Sequence, residues 1–285
     1  MDNQVQITAC SLPNQTVTFE TGLMANQADG AVVVRAGDSV VIGTAVASKS
    51  VREGCDFFPL TVDYFEKTYA AGRIPGGFFK REGRPTGKEI LTSRLIDRPL
   101  RPLFPDHFFN DVQIVGIVLS YDLVNQVDIL AMNAASCALL ISSIPFDNPI
   151  GAVRVGKIDG KLILNPSPAD LEHSTLEMVV AGTEQAITMV ESGSAEVTED
   201  ELIEALGFAH DNIKKLVASM RDLQSRIGKP KMVVVPPAPD TELEQLVRDT
   251  IFADVRDALN TAEKTARKNK FQVIGDKLEA ALQQK

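Results

Sequence analysis

Cysteine is scarce in this chain: Cys10, Cys55 and Cys137 are isolated and odd in number. No pair has zinc-ligand spacing and three thiols cannot close a disulfide framework, so buried thiols in a reducing, cytoplasmic setting are expected. Histidine is equally sparse. His107, His173 and His210 have no sequence partner for nucleophilic catalysis and read as surface or turn positions. Long apolar runs are missing too. The longest uncharged stretch, Ile129 to Phe146, is 18 residues, includes Asn133, Ser136, Ser142, Ser143 and Pro145, and lacks basic flanks. It suits a buried helix better than a membrane span, so no membrane association is expected. The start, Met1-Asp2-Asn3-Gln4, has no basic region followed by an apolar one, and no export signal is expected. Asp122, Asp128, Asp170 and Glu172 show no metal spacing. The glycines from Gly151 to Gly160 lie in turns rather than in a phosphate loop, which leaves Rossmann and P-loop chemistry unsupported.

Excess positive charge is also lacking overall. With 29 Lys/Arg against 38 Asp/Glu the net charge is −9, which favours solubility and argues against a general nucleic-acid-coating protein. The 285 residues, 44% hydrophobic and 24% charged, have room for roughly two domains of about 100–200 residues.

What is present is a local reversal of that charge. Arg73 to Arg101 holds eight Lys/Arg and three Asp/Glu, a charge of +5, while the remainder, 21 basic against 35 acidic, carries −14. Positive charge gathered in one place of an acidic chain points to a polyanion ligand in a groove or at a subunit interface. Phe78 and Phe79 add stacking surfaces beside Lys80, Arg81 and Arg84, which suits single-stranded nucleic acid. Gly76, Gly77 and Gly83 let the loop bend sharply. Arg94 and Arg98, four apart, share one helix face, with Arg101 just beyond the helix end and Ile90, Leu91 and Leu95 expected toward the core. Paired N–H donors on such arginines match phosphate oxygens. An internal reading stands beside this one: Asp97 pairing with Arg94 or Arg101, Glu82 with Lys80, and the phenylalanines in the core.

Along the chain, residues from about Gln4 to Glu191 read mainly as strands. Val32–Val34 and Val40–Ile42 flank a turn at Ala36-Gly37-Asp38-Ser39, Asp159-Gly160 joins another hairpin, and Gly182-Thr183-Glu184 a third. Leu60–Tyr64 and Val112–Val118 are further strands. One helix opens at the Thr86-x-x-Glu89 capping box and is expected to stop before Pro99; a second, Val127 to Ile141, is apolar nearly all round. Thr198-x-x-Glu201 is another capping box, followed by Leu202, Leu206, Ile213, Leu216, Val217 and Met220 at helical spacing. After a stiff Pro236-Pro237-Ala238-Pro239 spacer, a further helix begins at Asp240 or Thr241. The still-helical sequence at Leu278–Leu282, with no stop signal, gives the expectation of a truncated chain.

Long motifs then resemble one family. Asp56-Phe57-Phe58-Pro59-Leu60-Thr61-Val62, Tyr69-Ala70-Ala71-Gly72-Arg73-Ile74-Pro75-Gly76, Phe78 to Pro85, and Leu95 to Pro105 are similar to the first part of the bacterial polynucleotide phosphorylase family. The likeness continues through Ile150–Gly156 and Val179–Glu184 into the helical tail. It implies an α+β chain: a ribonuclease PH-like (ribosomal protein S5 domain 2-like) β-rich domain over 1–196, then an all-α linking domain over 197–285. A second ribonuclease PH-like repeat and the KH and S1 modules are expected to be absent. It implies phosphorolysis of single-stranded RNA to nucleoside diphosphates in mRNA degradation, inorganic phosphate as co-substrate, Mg²⁺, a homotrimer and degradosome partners. Phe78, Phe79, Lys80, Arg81 and Arg84 would hold RNA, and Arg94, Arg98 and Arg101 would reach an adjoining cleft. The family's second repeat uses three consecutive serines for phosphate, where this chain has Gln126, Val127 and Asp128; near its metal and lysine positions stand Glu177 and Val179. No complete catalytic set and no metal ligands are therefore expected here. A non-catalytic RNA-binding or assembly module, and an enzyme of small phosphorylated metabolites, remain the alternatives.

Overall fold

The computed structural model describes residues 5–236 and 238–283, in two compact units that divide between Val235 and Pro236. In the first unit a six-stranded sheet has the order β1 (Gln6–Ser11), β2 (Thr16–Thr21), β3 (Gly30–Ala36), β4 (Ser39–Val51), β6 (Asn110–Ser120) and β5 (Leu60–Glu66). All neighbours are antiparallel except β5 and β6. A parallel pair needs a crossover, and the segment between β5 and β6 supplies it with helix α1 (Gly87–Leu100). The second sheet is antiparallel, in the order β10 (Ile187–Ser194), β9 (Leu176–Gly182), β7 (Gly151–Ile158) and β8 (Lys161–Leu164), with a single helical turn, α3 (Pro168–Leu171), between β8 and β9.

Helix α2 (Val127–Ile141) is the centre of the core. All fifteen residues are buried, and it packs against β3, β4 and β6 of the first sheet and β7 of the second. Burying each of its Leu and Ile side chains is worth ~1.5–3 kcal/mol. Close approach to the sheet depends on Gly43, where an added Cβ would lie 2.8 Å from the Cβ of Ala134. The polar residues of α2 are all engaged. Asn133 donates to Ile129 O and Ala152 O and accepts from Ala152 N, each at 2.9 Å, and Ser136 Oγ accepts from Ile150 N. These bonds fix the register between α2 and β7, since a buried amide left unpaired costs ~1–3 kcal/mol.

The capping boxes form as expected. Thr86 Oγ1 accepts from Glu89 N, and Glu89 in turn accepts from Thr86 N at 2.6 Å. Burial works against ionisation of Glu89, but the amides of Thr86 and Glu66 hold its carboxyl below the usual range. Helix α1 differs from expectation in two respects. It runs through Pro99 to Leu100, because a proline in the last turn gives up one hydrogen bond near an end already short of partners. Its buried face is Thr92, Ile96, Pro99 and Leu100, while Ile90 and Leu91 are 52% and 66% exposed.

Helix α4 (Glu199–Ile227) buries Ala205, Ala209, Ile213, Leu216, Val217, Met220 and Leu223 against β7, β9, β1 and α2. It therefore belongs to the first compact unit, and the division lies well beyond the 196/197 boundary expected from the change to helical periodicity. The segment after it is held by Lys231, whose ammonium donates to Leu139 O, Leu140 O and Ser142 O at 2.8–3.0 Å and so closes the C-terminus of α2.

The second unit contains α5 (Thr241–Leu259) and α6 (Lys264–Leu282), which pack on each other. Asp240 caps α5 through Leu243 N. Ion pairs Lys270–Asp257 and Lys277–Asp254, at 2.7 and 2.6 Å, link the helices, and Ala258 and Ile274 are their buried contacts. Pro237 of the proline spacer lies outside the described residues. Among the described residues no helix is long and apolar enough to cross a membrane.

Candidate nucleic-acid interface

The basic stretch leaves the end of β5 through a 3-10 turn, Thr68–Ala71, and forms a loop before α1 begins. The turn is fixed from both sides: Tyr121 N donates to Ala70 O at 3.0 Å, and Arg73 N donates to Thr68 O at 3.0 Å. Gly77 adopts φ +78°, open to glycine at little cost, and Lys80 follows at φ +50°. Phe78 and Phe79 sit at the tip, 93% and 80% exposed, in edge contact at 5.4 Å between ring centres. Burying either ring against the chain would have been favourable by kilocalories. Two adjacent phenylalanines are instead held in water, a small exposed apolar patch rimmed by cations.

Lys80, Arg81 and Arg84 are exposed beside the rings. The loop's carboxylate does not neutralise them. Glu82 instead pairs with Lys67 at 2.7 Å and accepts from Thr68 N at 2.9 Å; the Lys67 contact, followed by the Thr68 amide, lowers its pKa. Arg81 and Arg84 line a hollow of about 330 Å³ with Lys67, Thr68, Pro75 and Pro85. A second hollow of about 260 Å³, lined by Arg94, Ile90 and Ser93, shares Phe65 and Pro85 with the first. The loop cations and the first arginine of α1 thus border adjoining depressions.

The three helix-end arginines have different environments. Arg94 is exposed and makes no ion pair or hydrogen bond among the described residues. Arg98, also exposed, lies 3.9 Å from Glu191 of β10, with both side chains 66% exposed, an ion pair of little energetic weight. Arg101 is committed internally. It pairs with Asp97 at 2.9 Å, donates to Phe58 O and Leu60 O at 3.0 Å, and lies over the Phe58 ring. Its guanidinium ties the end of α1 to the entry of β5, so the expectation that it reaches an adjoining cleft has no support in this conformation. Sequence reasoning missed Lys67 and Thr68, which hold the loop base. The one available signal was Glu82, the only acidic residue between Arg73 and Lys88.

Gln126, Asp128 and Glu177 come together around one cation. Arg154 of β7 donates to Gln126 Oε1 and to Asp128 Oδ2, both at 2.6 Å, and its Nε lies 3.5 Å from Glu177. Gln126 and Asp128 are buried. The guanidinium is held by the side chains of the N-cap residue Gln126 and the first-turn residue Asp128 of α2, an end that by itself favours an anion. With Asp128 and Glu177 both facing Arg154, this donor set does not fit a magnesium ion, which demands octahedral oxygen ligation. Among the described residues no group of three or more His, Cys, Asp or Glu could hold a metal.

Comparison with known proteins agrees with this architecture. The family described as "3' exoribonuclease family, domain 1" matches residues 14–145, and "3' exoribonuclease family, domain 2" matches residues 148–212. Polyribonucleotide nucleotidyltransferases are close in sequence: that of Geotalea uraniireducens is 49% identical over 282 residues, 99% of this chain and 40% of the relative. Those of Heliobacterium modesticaldum and Acidobacterium capsulatum are 49% and 52% identical over 95% and 85% of the chain, and 38% and 30% of the relatives. The chain spans about 30–40% of the length of these relatives. Among solved structures, rice Rrp46 superposes with a TM-score of 0.59 at 14% identity, covering 79% of this chain and 97% of that one; this likeness concerns the fold alone.

Proposed function

Since the chain belongs to the 3′ exoribonuclease family, with its first and second domains in succession, we propose that it supplies the RNA-holding surface of a polyribonucleotide nucleotidyltransferase. The reaction proposed for the whole enzyme is phosphorolysis. An oxygen of inorganic phosphate attacks the phosphorus of the 3′-terminal phosphodiester, the bond to the preceding nucleotide's O3′ breaks, and a nucleoside diphosphate leaves. Phosphate is already an anionic nucleophile, so catalysis consists mainly of positioning and charge neutralisation.

The exposed Phe78–Phe79 pair beside Lys80, Arg81 and Arg84 carries this reading. Aromatic faces accept any base by stacking, and flexible cations follow the phosphates of an unpaired strand. Arg94 and Arg98, four residues apart and without strong internal partners among the described residues, are proposed to neutralise phosphate charge in an adjoining cleft. Arg154, held by Gln126 and Asp128 at the start of α2, supports a division of labour in which groups beyond the matched region bind the attacking phosphate and Mg²⁺. A homotrimer, a cytoplasmic role in mRNA degradation and degradosome partners belong to the same proposal.

The test is incubation of the 285-residue chain with a labelled single-stranded oligoribonucleotide, phosphate and Mg²⁺. Salt-sensitive binding without nucleoside diphosphate release is expected. Release of the diphosphate would overturn the division of labour, and absence of RNA binding would overturn the assignment of the loop.

A further inference from the structure

The basic loop is tied down at one internal point. Among the described residues no hydrogen bond or ion pair joins residues 74–81 or 83–85 to the rest of the chain. Arg73 N is fixed on Thr68 O at the loop's start. Near its end, Glu82 accepts from Thr68 N at 2.9 Å and Thr68 Oγ1 at 3.2 Å, and pairs with Lys67 at 2.7 Å. Both ends therefore meet on one residue of the 3-10 turn, in the manner of a compact loop closed at its neck. Lys67 is itself steadied over the Phe65 ring, 4.7 Å from its centre, and the turn is pinned to the end of β6 through Ala70 and Tyr121.

A carboxylate beside the proposed RNA-binding cations opposes RNA binding electrostatically, so its presence there calls for a compensating role. We propose that Glu82 is a positioning residue for RNA: by clasping the loop neck onto Thr68 and Lys67 it holds Phe78 to Arg84 in one attitude. The inference rests on the RNA reading of the loop. Without the clasp, the rings and cations would have to be ordered by the RNA itself, at the expense of affinity.

Two variants of equal charge separate positioning from electrostatics. Glu82→Ala removes the clasp. Glu82→Gln also removes the charge but keeps an oxygen that accepts from Thr68 N. Coulomb attraction alone predicts RNA binding tightened about twofold in both. The clasp predicts about tenfold weaker binding in Glu82→Ala, from lost preorganisation, with most of that affinity restored in Glu82→Gln. Binding of a fluorescent single-stranded oligoribonucleotide to the 285-residue chain gives the affinities. Hydrogen exchange at the Thr68 amide, faster in Glu82→Ala than in Glu82→Gln, reports the clasp without RNA. Equal affinities for the two variants, or unchanged Thr68 exchange in Glu82→Ala, would overturn the role of Glu82 while leaving the RNA site intact. Failure of the unaltered chain to bind RNA would overturn both.

Discussion

Neutralising Lys80, Arg81 and Arg84 to glutamine should change the salt dependence of RNA binding in a way that removing the phenylalanines does not. Each phosphate contact on a single strand contributes a slope of about −0.7 in log affinity against log salt. Three exposed cations, without internal partners among the described residues, thus account for a slope of about −2, or ~20-fold in affinity between about 50 and 200 mM salt. The triple variant should lose that part of the slope and keep whatever Arg94 and Arg98 contribute. Replacing Phe78 and Phe79 by alanine should weaken binding at every salt concentration with the slope unchanged. At the low end of ~1–3 kcal/mol per stacked base, two rings are worth about 2 kcal/mol, or ~30-fold. Both variants should melt like the parent, because both rings are more than three-quarters exposed and surface substitutions usually fall within ~0.5 kcal/mol. Anisotropy titrations at three salt concentrations decide the matter. A triple variant with the parental slope would refute phosphate contact by these residues, and a phenylalanine variant of parental affinity would refute stacking.

The helix-end arginines should separate by assay. Arg94→Glu in the full-length enzyme should lower turnover with no loss of thermal stability, whereas Arg101→Ala should destabilise by ~1–2 kcal/mol, allowing for its partial exposure, through lost bonds to Asp97, Phe58 O and Leu60 O. Arg154→Ala should cost ~3–5 kcal/mol in denaturant titration, since it leaves buried Asp128 and Gln126 without their partner; a loss under about 1 kcal/mol would contradict the packing described. Asp122 lies in a tight donor set. Partial burial opposes its charge, but Asn125 N, Val124 N, the Asn125 amide and Ser39 Oγ bring its pKa down to about 2. A depressed carboxyl stabilises the fold above its unfolded pKa of about 3.9, and that contribution is lost as pH falls toward 2. Asp122→Ala should thus be at least ~1–2 kcal/mol less stable at neutral pH after allowance for solvent screening, with that ionisation-dependent part of the difference lost as pH falls toward 2, as acid titrations of both proteins would show.

Local patterns carried much of the fold. The capping boxes at Thr86 and Thr198, the hairpin turns at Gly37 and Asp159-Gly160 and the buried helix 127–141 all form where nearest-neighbour chemistry places them. The basic loop was legible for the same reason: charge and aromatic content are properties of a contiguous segment, as is the glycine that shapes its tip.

Tertiary packing decided the rest. Whether α4 belongs with the sheets or with the helices after it depends on which surface covers its apolar stripe, and periodicity is the same in either case. The exposed side of α1 follows from where β5 lies, which is why Ile90 and Leu91 face solvent while Ile96 and Leu100 do not. Arg101 and Arg94 are chemically identical in the sequence; one is bound because two carbonyls of a distant strand entry reach it, and the other has no partner among the described residues. The ion pairs of Glu82 with Lys67 and of Arg154 with Asp128 join residues 15 and 26 positions apart. Hydrogen bonds act over about 3 Å, so such partners exist only once the chain has folded.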